Sequence, residues 1–279
     1  ADIRFSMARI LEDEGYVVTE ASDSASALSL ISFILAITRL PESLPEENRR
    51  TSEDSILKEF GGMFRKIAGV MKLPTVSSLV SINFLFLMGF SMMHGTFILF
   101  TSMDPDSGGL GWSELDNGWV FAFIGLLGAI VQGALIGPLT QRFRMSRLML
   151  IGTLLCGAGI ASIPYVPYEA SWLIFGSSAG MAIGNGVFSP TQSSVLTSET
   201  KTMGYELGMV MGAQEGYGAL ARIFGPLTAA YIWSLTVEGD GFWTYHTSFR
   251  VAGIIFLLAI LMQTRLRLSE ANTQGATRS

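Results

Sequence analysis

The sequence predicts an all-α fold, a polytopic transmembrane helix bundle, on three observations. Of its 279 residues 49% are hydrophobic and only 15% charged, where average soluble domains carry about 25% charged residues, so too little polar surface exists to coat a soluble globule of this size. The apolar residues fall in long runs, and about 20 helical residues rising ~1.5 Å each cross a hydrocarbon core of ~30 Å. Lys and Arg collect in alternate loops, as they do when every second loop lies on the cytoplasmic side. Helix is the required state, because the runs lack the polar–apolar alternation of a barrel strand.

The expected spans are Val76–Phe100, Gly118–Thr140, Leu148–Val166, Trp172–Leu196, Gly208–Ser234 and a shorter Phe249–Thr264. Pro138, Pro190 and Pro226 are expected to interrupt helices, which neighbouring helices in a bundle tolerate. Residues 39–72 hold seven Lys and Arg; Thr101–Asn117 holds none and carries Asp104, Asp106, Glu114 and Asp116. Arg142, Arg144 and Arg147 fill the next loop, Pro167–Ser171 has no basic residue, Lys201 follows, and Leu235–Ser248 again has none. The expected arrangement is an integral protein of a bacterial-type inner membrane, with the connector 39–75 and the C-terminus cytoplasmic. Trp112, Trp119, Trp172, Trp233 and Trp243 all fall near the outer boundary, as an aromatic belt requires.

Small residues recur every fourth position at Gly125, Ala129, Gly133 and Gly137, at Gly176, Gly180 and Gly184, and at Gly208, Gly212 and Gly216. Each series predicts a helix face on which backbones approach closely. A single cysteine, Cys156, excludes a disulfide framework and any Cys-based metal site. With His94 and His246 as the only histidines no metal centre is expected, and a net charge of −5 gives no reason to expect nucleic acid as a partner. No nucleophile–base triad or phosphate loop is legible, so neither an enzyme nor a cofactor is expected.

Ionisable groups inside a bilayer are costly and are functional candidates for that reason. Arg222 falls near the middle of its span, and Glu215 lies seven residues earlier on almost the same face. Their backbones stand about 10 Å apart along the helix, so direct pairing needs extended side chains, a water or another helix. Arg222 is a candidate for holding an anionic or polar substrate group and Glu215 for carrying a proton; a purely structural ion pair is the alternative. Gln214, Asn83, His94, Gln132 and Asn185 are polar candidates to line a cavity, with hydrogen bonding between helices the competing role for Asn83 and Asn185. Gly225 and Pro226 form a candidate hinge.

The connector opens with RLPESLPEENRR, a polar, Pro-containing loop. Ile56, Leu57, Phe60, Met63, Phe64, Ile67, Ala68 and Met71 then follow helical spacing, with Lys58, Glu59, Arg65, Lys66 and Lys72 on the other side. This predicts an amphipathic helix for the inner membrane surface, or one docked on protein.

These residues resemble the major facilitator superfamily. RLPESLPEENRR resembles its central loop, GPLTQRFRMSRLM (Gly137–Met149) its short basic loop between spans eight and nine, and GNGVFSPTQSSVLT (Gly184–Thr197) its tenth span. ALARIFGP (Ala219–Pro226) is similar to span eleven of the tetracycline-efflux-like, drug:proton antiporter branch. The resemblance implies that residues 76–268 are spans seven to twelve of a twelve-span carrier, that 29–38 end a sixth span, and that 269–279 are a disordered tail. It implies proton-coupled efflux of a small molecule by rocking of two halves, with a matching N-terminal six-helix half required for activity. Gly137, Arg142 and Arg147 fall in the loop that serves as a gate in the family, although Gln141 stands where an acidic residue is common there.

Residues 1–28 do not belong to that pattern. ADIRFSMARILEDEGYVVTEASDSASAL reads as a short soluble α/β-like piece and resembles part of a response-regulator receiver domain, without its metal-binding acids or its phosphate-accepting Asp. About 30 residues cannot bury a core of their own. A chimera joined near Ala27–Leu30 is expected, and a first residue other than Met fits it. A membrane-attached signalling protein and a non-functional fragment remain the alternatives.

Overall fold

The computed structural model describes residues 69, 71–205, 207–238 and 243–276, with side chains as far as Leu266. The receiver-like piece 1–28, the expected end of a sixth span and nearly all of the connector lie outside the described residues. What is described is all helix and turn, arranged as six successive rods.

The first rod, α1 (Pro74–Ser102), starts with Pro74 in its first turn, where the missing N–H costs nothing. It has no single apolar stripe, because it is buried on most sides between neighbours, from Val76 to Thr101. A tight loop follows. Asp104 accepts from the Asp106 N–H at 3.0 Å, and Gly108 takes φ 91, a left-handed conformation that glycine adopts without strain. The Trp112 N–H donates to the Thr101 carbonyl at 2.8 Å, and the Thr101 hydroxyl donates to Asn117 Oδ1 at 2.7 Å.

The second rod is α2 (Glu114–Ile130), a π turn at Val131–Leu135, and α3 (Ile136–Arg142). Ser113 and Asp116 form a reciprocal capping box at its start, with the Ser113 N–H donating to Asp116 Oδ2 at 3.0 Å. The π turn has a local cause. Pro138 has no N–H for the Ala134 carbonyl and its ring crowds that carbonyl; widening the preceding turn, with the Ile136 N–H bonded to the Val131 carbonyl, relieves the clash. The rods continue as α4 (Met145–Ser162), α5 (Leu173–Thr202), α6 (Leu207–Glu238) and α7 (His246–Ala276). The interruption expected at Pro190 and Pro226 does not occur: α5 and α6 run through both. Helix α7 continues to Ala276, so residues 269–276 are helical where an irregular tail was expected.

Four rods, Pro74–Ser102, Glu114–Arg142, Met145–Tyr165 and His246–Leu266, are long and apolar enough to cross a membrane. Helices α5 and α6 have the length, 30 and 32 residues, but many Gly, Ser and Thr dilute the apolar content of α5, and Gln214, Glu215 and Arg222 that of α6. The alternation of the rods gathers Asp104, Asp106, Glu114 and Asp116 at one end, here termed the acidic end, together with the tryptophans. Arg142, Arg144, Arg147, Lys201 and Arg265 gather at the other, basic end.

Packing runs around α1. An aromatic cluster joins it to α5 and α7: the Phe86 and Phe188 rings stack at 3.7 Å, and Phe256 meets Phe86 edge-on at 5.2 Å. Helices α4 and α5 meet backbone to backbone. A side chain at Gly152 would lie 2.8 Å from the Gly184 carbonyl, and one at Gly180 would lie 3.3 Å from the Leu155 carbonyl. The middle small-residue series therefore packs as expected through Gly180 and Gly184. The other two do not: Gly125, Gly133, Gly137, Gly208, Gly212 and Gly216 have no described neighbour within 4 Å of the position a Cβ would take. Periodicity shows where a flat face exists and is silent on whether the same chain covers it.

A buried amide ties α7 to α4. Gln263 Nε2 donates to Thr153 Oγ1 at 2.7 Å, and that hydroxyl donates in turn to the Met149 carbonyl at 2.9 Å. Thr153→Val leaves a buried amide donor without an acceptor, and is expected to cost about 1–2 kcal/mol. Gln263→Leu leaves Thr153 still bonded to its own helix and is expected to cost less. Unfolding by denaturing detergent measures both.

Candidate functional site

Helices α2 and α6 flank the bundle, each covered on one side. Helix α2 buries Asn117 and Val120, and the π turn adds Val131. Helix α6 seats Gly225 against Met88, Ser91 and Met92 of α1, and Gly95 of α1 approaches Pro226, 3.4 Å from where its Cβ would be. Ser91 donates along its own helix to the Leu87 carbonyl at 2.7 Å and faces the Ala221 carbonyl across the crossing at 3.1 Å. The candidate hinge at Gly225 and Pro226 is thus the contact point at which α6 rests on α1.

The opposite face of α6 carries the charges. Arg222 is the sixteenth of its 32 residues, and its side chain is 55% exposed; Glu215 is 64% exposed. Arg222 Nη2 and Glu215 Oε2 stand 3.8 Å apart, so the two side chains extend toward each other over two helical turns, and neither a water nor another helix is needed to join them. A charged pair at mid-span cannot lie against hydrocarbon without heavy cost. This face therefore belongs against water or against other polypeptide.

The neighbouring polar candidates turn inward. Gln214 is 3% exposed, and its Oε1 is buried with no described partner. Asn83 of α1 is also buried, with Nδ2 3.7 Å from where a Gly218 side chain would begin. Gln192 of α5, which the reading of the sequence did not single out, donates through Nε2 to the Leu79 carbonyl one turn below Asn83, at 3.3 Å. These amides mark where α1, α5 and α6 converge. An amide inside an apolar run is the signal that would have found Gln192 and Gln263, as it found Gln214.

The remaining candidates are dispersed. His94 is exposed, its Nδ1 3.1 Å from the Phe90 carbonyl and its ring 4.8 Å from that of Phe90 and 6.5 Å from that of Phe121. Gln132 is exposed on the π turn, 3.8 Å by its Cγ from where a Gly186 side chain would begin. Asn185 is half-buried on α5. Gly137 is open, and Arg142 and Arg147 are exposed, with no acidic partner among the described residues. The structure thus joins Glu215 to Arg222 and leaves His94, Gln132 and the basic loop apart from them.

The sequence model of the Major Facilitator Superfamily matches residues 24–226 and, in a second overlapping match, residues 85–278. The chain belongs to the major facilitator superfamily. That family is one of integral membrane transport proteins rather than enzymes. Over 167 residues it is 22% identical to the class B tetracycline resistance protein of Escherichia coli, a match that covers 59% of this chain and 40% of that protein. Among solved structures it is similar to a peptide transporter POT in complex with sulfate, with a TM-score of 0.56, 19% identity and coverage of 69% of this chain and 37% of that one. A mutant of a peptide transporter POT in complex with alafosfalin aligns with a TM-score of 0.54 and 19% identity over 69% of this chain and 38% of that one. The chain therefore spans about 40% of the length of the relatives it matches, and the likeness to solved structures is one of fold.

Proposed function

We propose that this chain is the C-terminal half of a proton-coupled efflux carrier of a bacterial inner membrane, moving a small molecule by alternating access. The observation that carries the reading is the Glu215–Arg222 pair, held at mid-span on a face of α6 that no described residue covers. In this reading the face borders the central cavity. Arg222 holds an anionic or polar substrate group or sets the protonation of Glu215, and Glu215 carries the proton. The uncovered glycine faces of α2 and α6 supply flat surfaces for a matching N-terminal six-helix half, and the Gly225 contact on α1 supplies a pivot for rocking. The basic end faces the cytoplasm. The similarity to the tetracycline resistance protein supports efflux and makes tetracycline the first substrate to test.

The 279-residue chain alone is expected to give no transport in membrane vesicles, whereas co-expression with a matching N-terminal half restores proton-driven uptake into everted vesicles. Transport by the chain alone overturns the requirement for a second half. Transport that persists after the proton gradient is collapsed overturns the coupling.

A further inference from the structure

Two of the rods long and apolar enough to cross a membrane, Met145–Tyr165 and His246–Leu266, run antiparallel and meet along a seam. Small residues bring them close: a side chain at Gly157 would lie 2.8 Å from Phe256 Cβ, and one at Gly253 3.5 Å from Ala161 Cβ. One turn beyond Ala161 and Gly253 the seam ends in Tyr165, on the short turn after α4, and Arg250, in the first turns of α7. Arg250 Nε donates to the Tyr165 hydroxyl at 3.0 Å, and the His246 ring lies 5.0 Å from the Tyr165 ring. Both spans reach their boundary at the acidic end in this cluster.

Arg250 is the only described lysine or arginine at the acidic end, and it is exposed. The one ion pair among the described residues, Glu215–Arg222, leaves it without a carboxylate. Its place is about 6 Å into the span along the helix, where an arginine lays its aliphatic stem on hydrocarbon and turns its head to the interface. Nε is spent on Tyr165, which fixes the plane of the guanidinium and leaves both Nη groups to donate; the Tyr165 hydroxyl, which accepts from Nε, keeps its own proton to donate. A fixed guanidinium edge matches two oxygens of one phosphate in parallel bonds. Below it the exposed face of α7 is wholly aliphatic, with Ile254, Leu257 and Leu261 following Arg250 at helical spacing. That row suits hydrocarbon, unlike the charged face of α6.

We infer that the α4–α7 seam is a phospholipid site in the leaflet at the acidic end. The phosphodiester accepts from the Arg250 Nη groups and the Tyr165 hydroxyl, and an acyl chain runs over Gly253 and Ala161 beside Ile254 and Leu257. The inference rests on the membrane location of the chain and is independent of its substrate and coupling ion.

Photolabelling of the purified full chain in detergent tests this, with a phosphatidylglycerol that carries a diazirine in its acyl chain and with the labelled peptides mapped by mass spectrometry. Label is expected on residues 158–165 and 253–257. Arg250→Ala is expected to lower it at least about tenfold, and Tyr165→Phe, which keeps the ring and removes the hydroxyl, about threefold. Label at residues 144–148, near the basic end, is the internal reference and stays unchanged. Equal labelling of the seam in the wild type and in Arg250→Ala overturns the site. Equal labelling by the matching diacylglycerol, which has no phosphate, means that the apolar seam alone takes up chains, and overturns it too. Competition by excess inorganic phosphate assigns Arg250 and Tyr165 to a soluble phosphate compound and overturns the lipid. If Arg250→Ala does not fold, Tyr165→Phe decides: unchanged labelling overturns the assignment.

Discussion

Gly184→Val is expected to prevent assembly of the six-rod bundle. A Cβ at 184 would run into the Cys156 backbone nitrogen and lie 2.6 Å from the Gly152 carbonyl. Both obstacles are main chain inside a helix, and neither can rotate away. The seam has no slack elsewhere: a side chain at Gly159 would lie 2.7 Å from the Met181 nitrogen, and one at Gly152 2.8 Å from the Phe188 nitrogen. Helices α4 and α5 must therefore separate along their whole contact, and Phe188 leaves its stack with Phe86. Overpacking against backbone at a helix crossing belongs among the substitutions that cost more than about 4 kcal/mol. The readout is the monodisperse fraction in detergent and the thermal midpoint of helix loss. Gly125→Val is the control, because nothing described lies within 4 Å of that position; it leaves the chain folded. If, as proposed, the open face of α2 receives an N-terminal half, the same Gly125→Val weakens that association in a complete carrier.

These two glycines show how far the sequence could be read. Both sit in four-residue repeats, and both repeats predict a close helix contact. One finds it through Gly152 and Gly159, seven residues apart on α4; the other stays open. Spacing fixes the face of a helix, but the partner is a property of the whole bundle, and the described bundle leaves some of these faces uncovered. The rods themselves were legible because hydrocarbon length and the basic loops constrain them strongly. Their ends were less so: Pro74 and Thr75 ahead of Val76, and Thr101 and Ser102 beyond Phe100, belong to α1 although the apolar run stops short of them. The π turn at Val131–Leu135 was not legible, since a proline can be relieved by a kink, a break or a wide turn, and packing of Val131 on Gly186 selects the last. Glu215 and Arg222 were legible as a pair because a separation of seven residues returns to almost the same face. Gln192 and Gln263 escaped because their significance lies in burial and in the carbonyl or hydroxyl each one reaches.

Neutralising either member of the mid-span pair is expected to abolish transport by a complete carrier while leaving the fold intact. Glu215→Gln removes the carboxylate proposed to carry the proton, and Arg222→Ala removes the cation that faces it. Each should lower the transport rate by at least about 100-fold, the scale on which a positioned proton carrier acts. Because the two side chains are 64% and 55% exposed and contact no other charged group described, neither change should move the thermal midpoint of the 279-residue chain. The double substitution Glu215→Ala/Arg222→Ala separates function from architecture. A structural ion pair behaves as a unit: removing one member leaves an uncompensated charge, and removing both relieves it, so the double variant would recover transport. A working site behaves differently, since two missing parts are no better than one, and the double variant is expected to stay as inactive as either single one. Glu215→Asp sharpens the point. It keeps the carboxylate but shortens the reach across a separation already at 3.8 Å, so transport is expected to fall with the proton-gradient dependence retained. Full activity in Glu215→Gln, or recovery in the double variant, removes the pair from the transport cycle and leaves it an ion pair along the surface of α6.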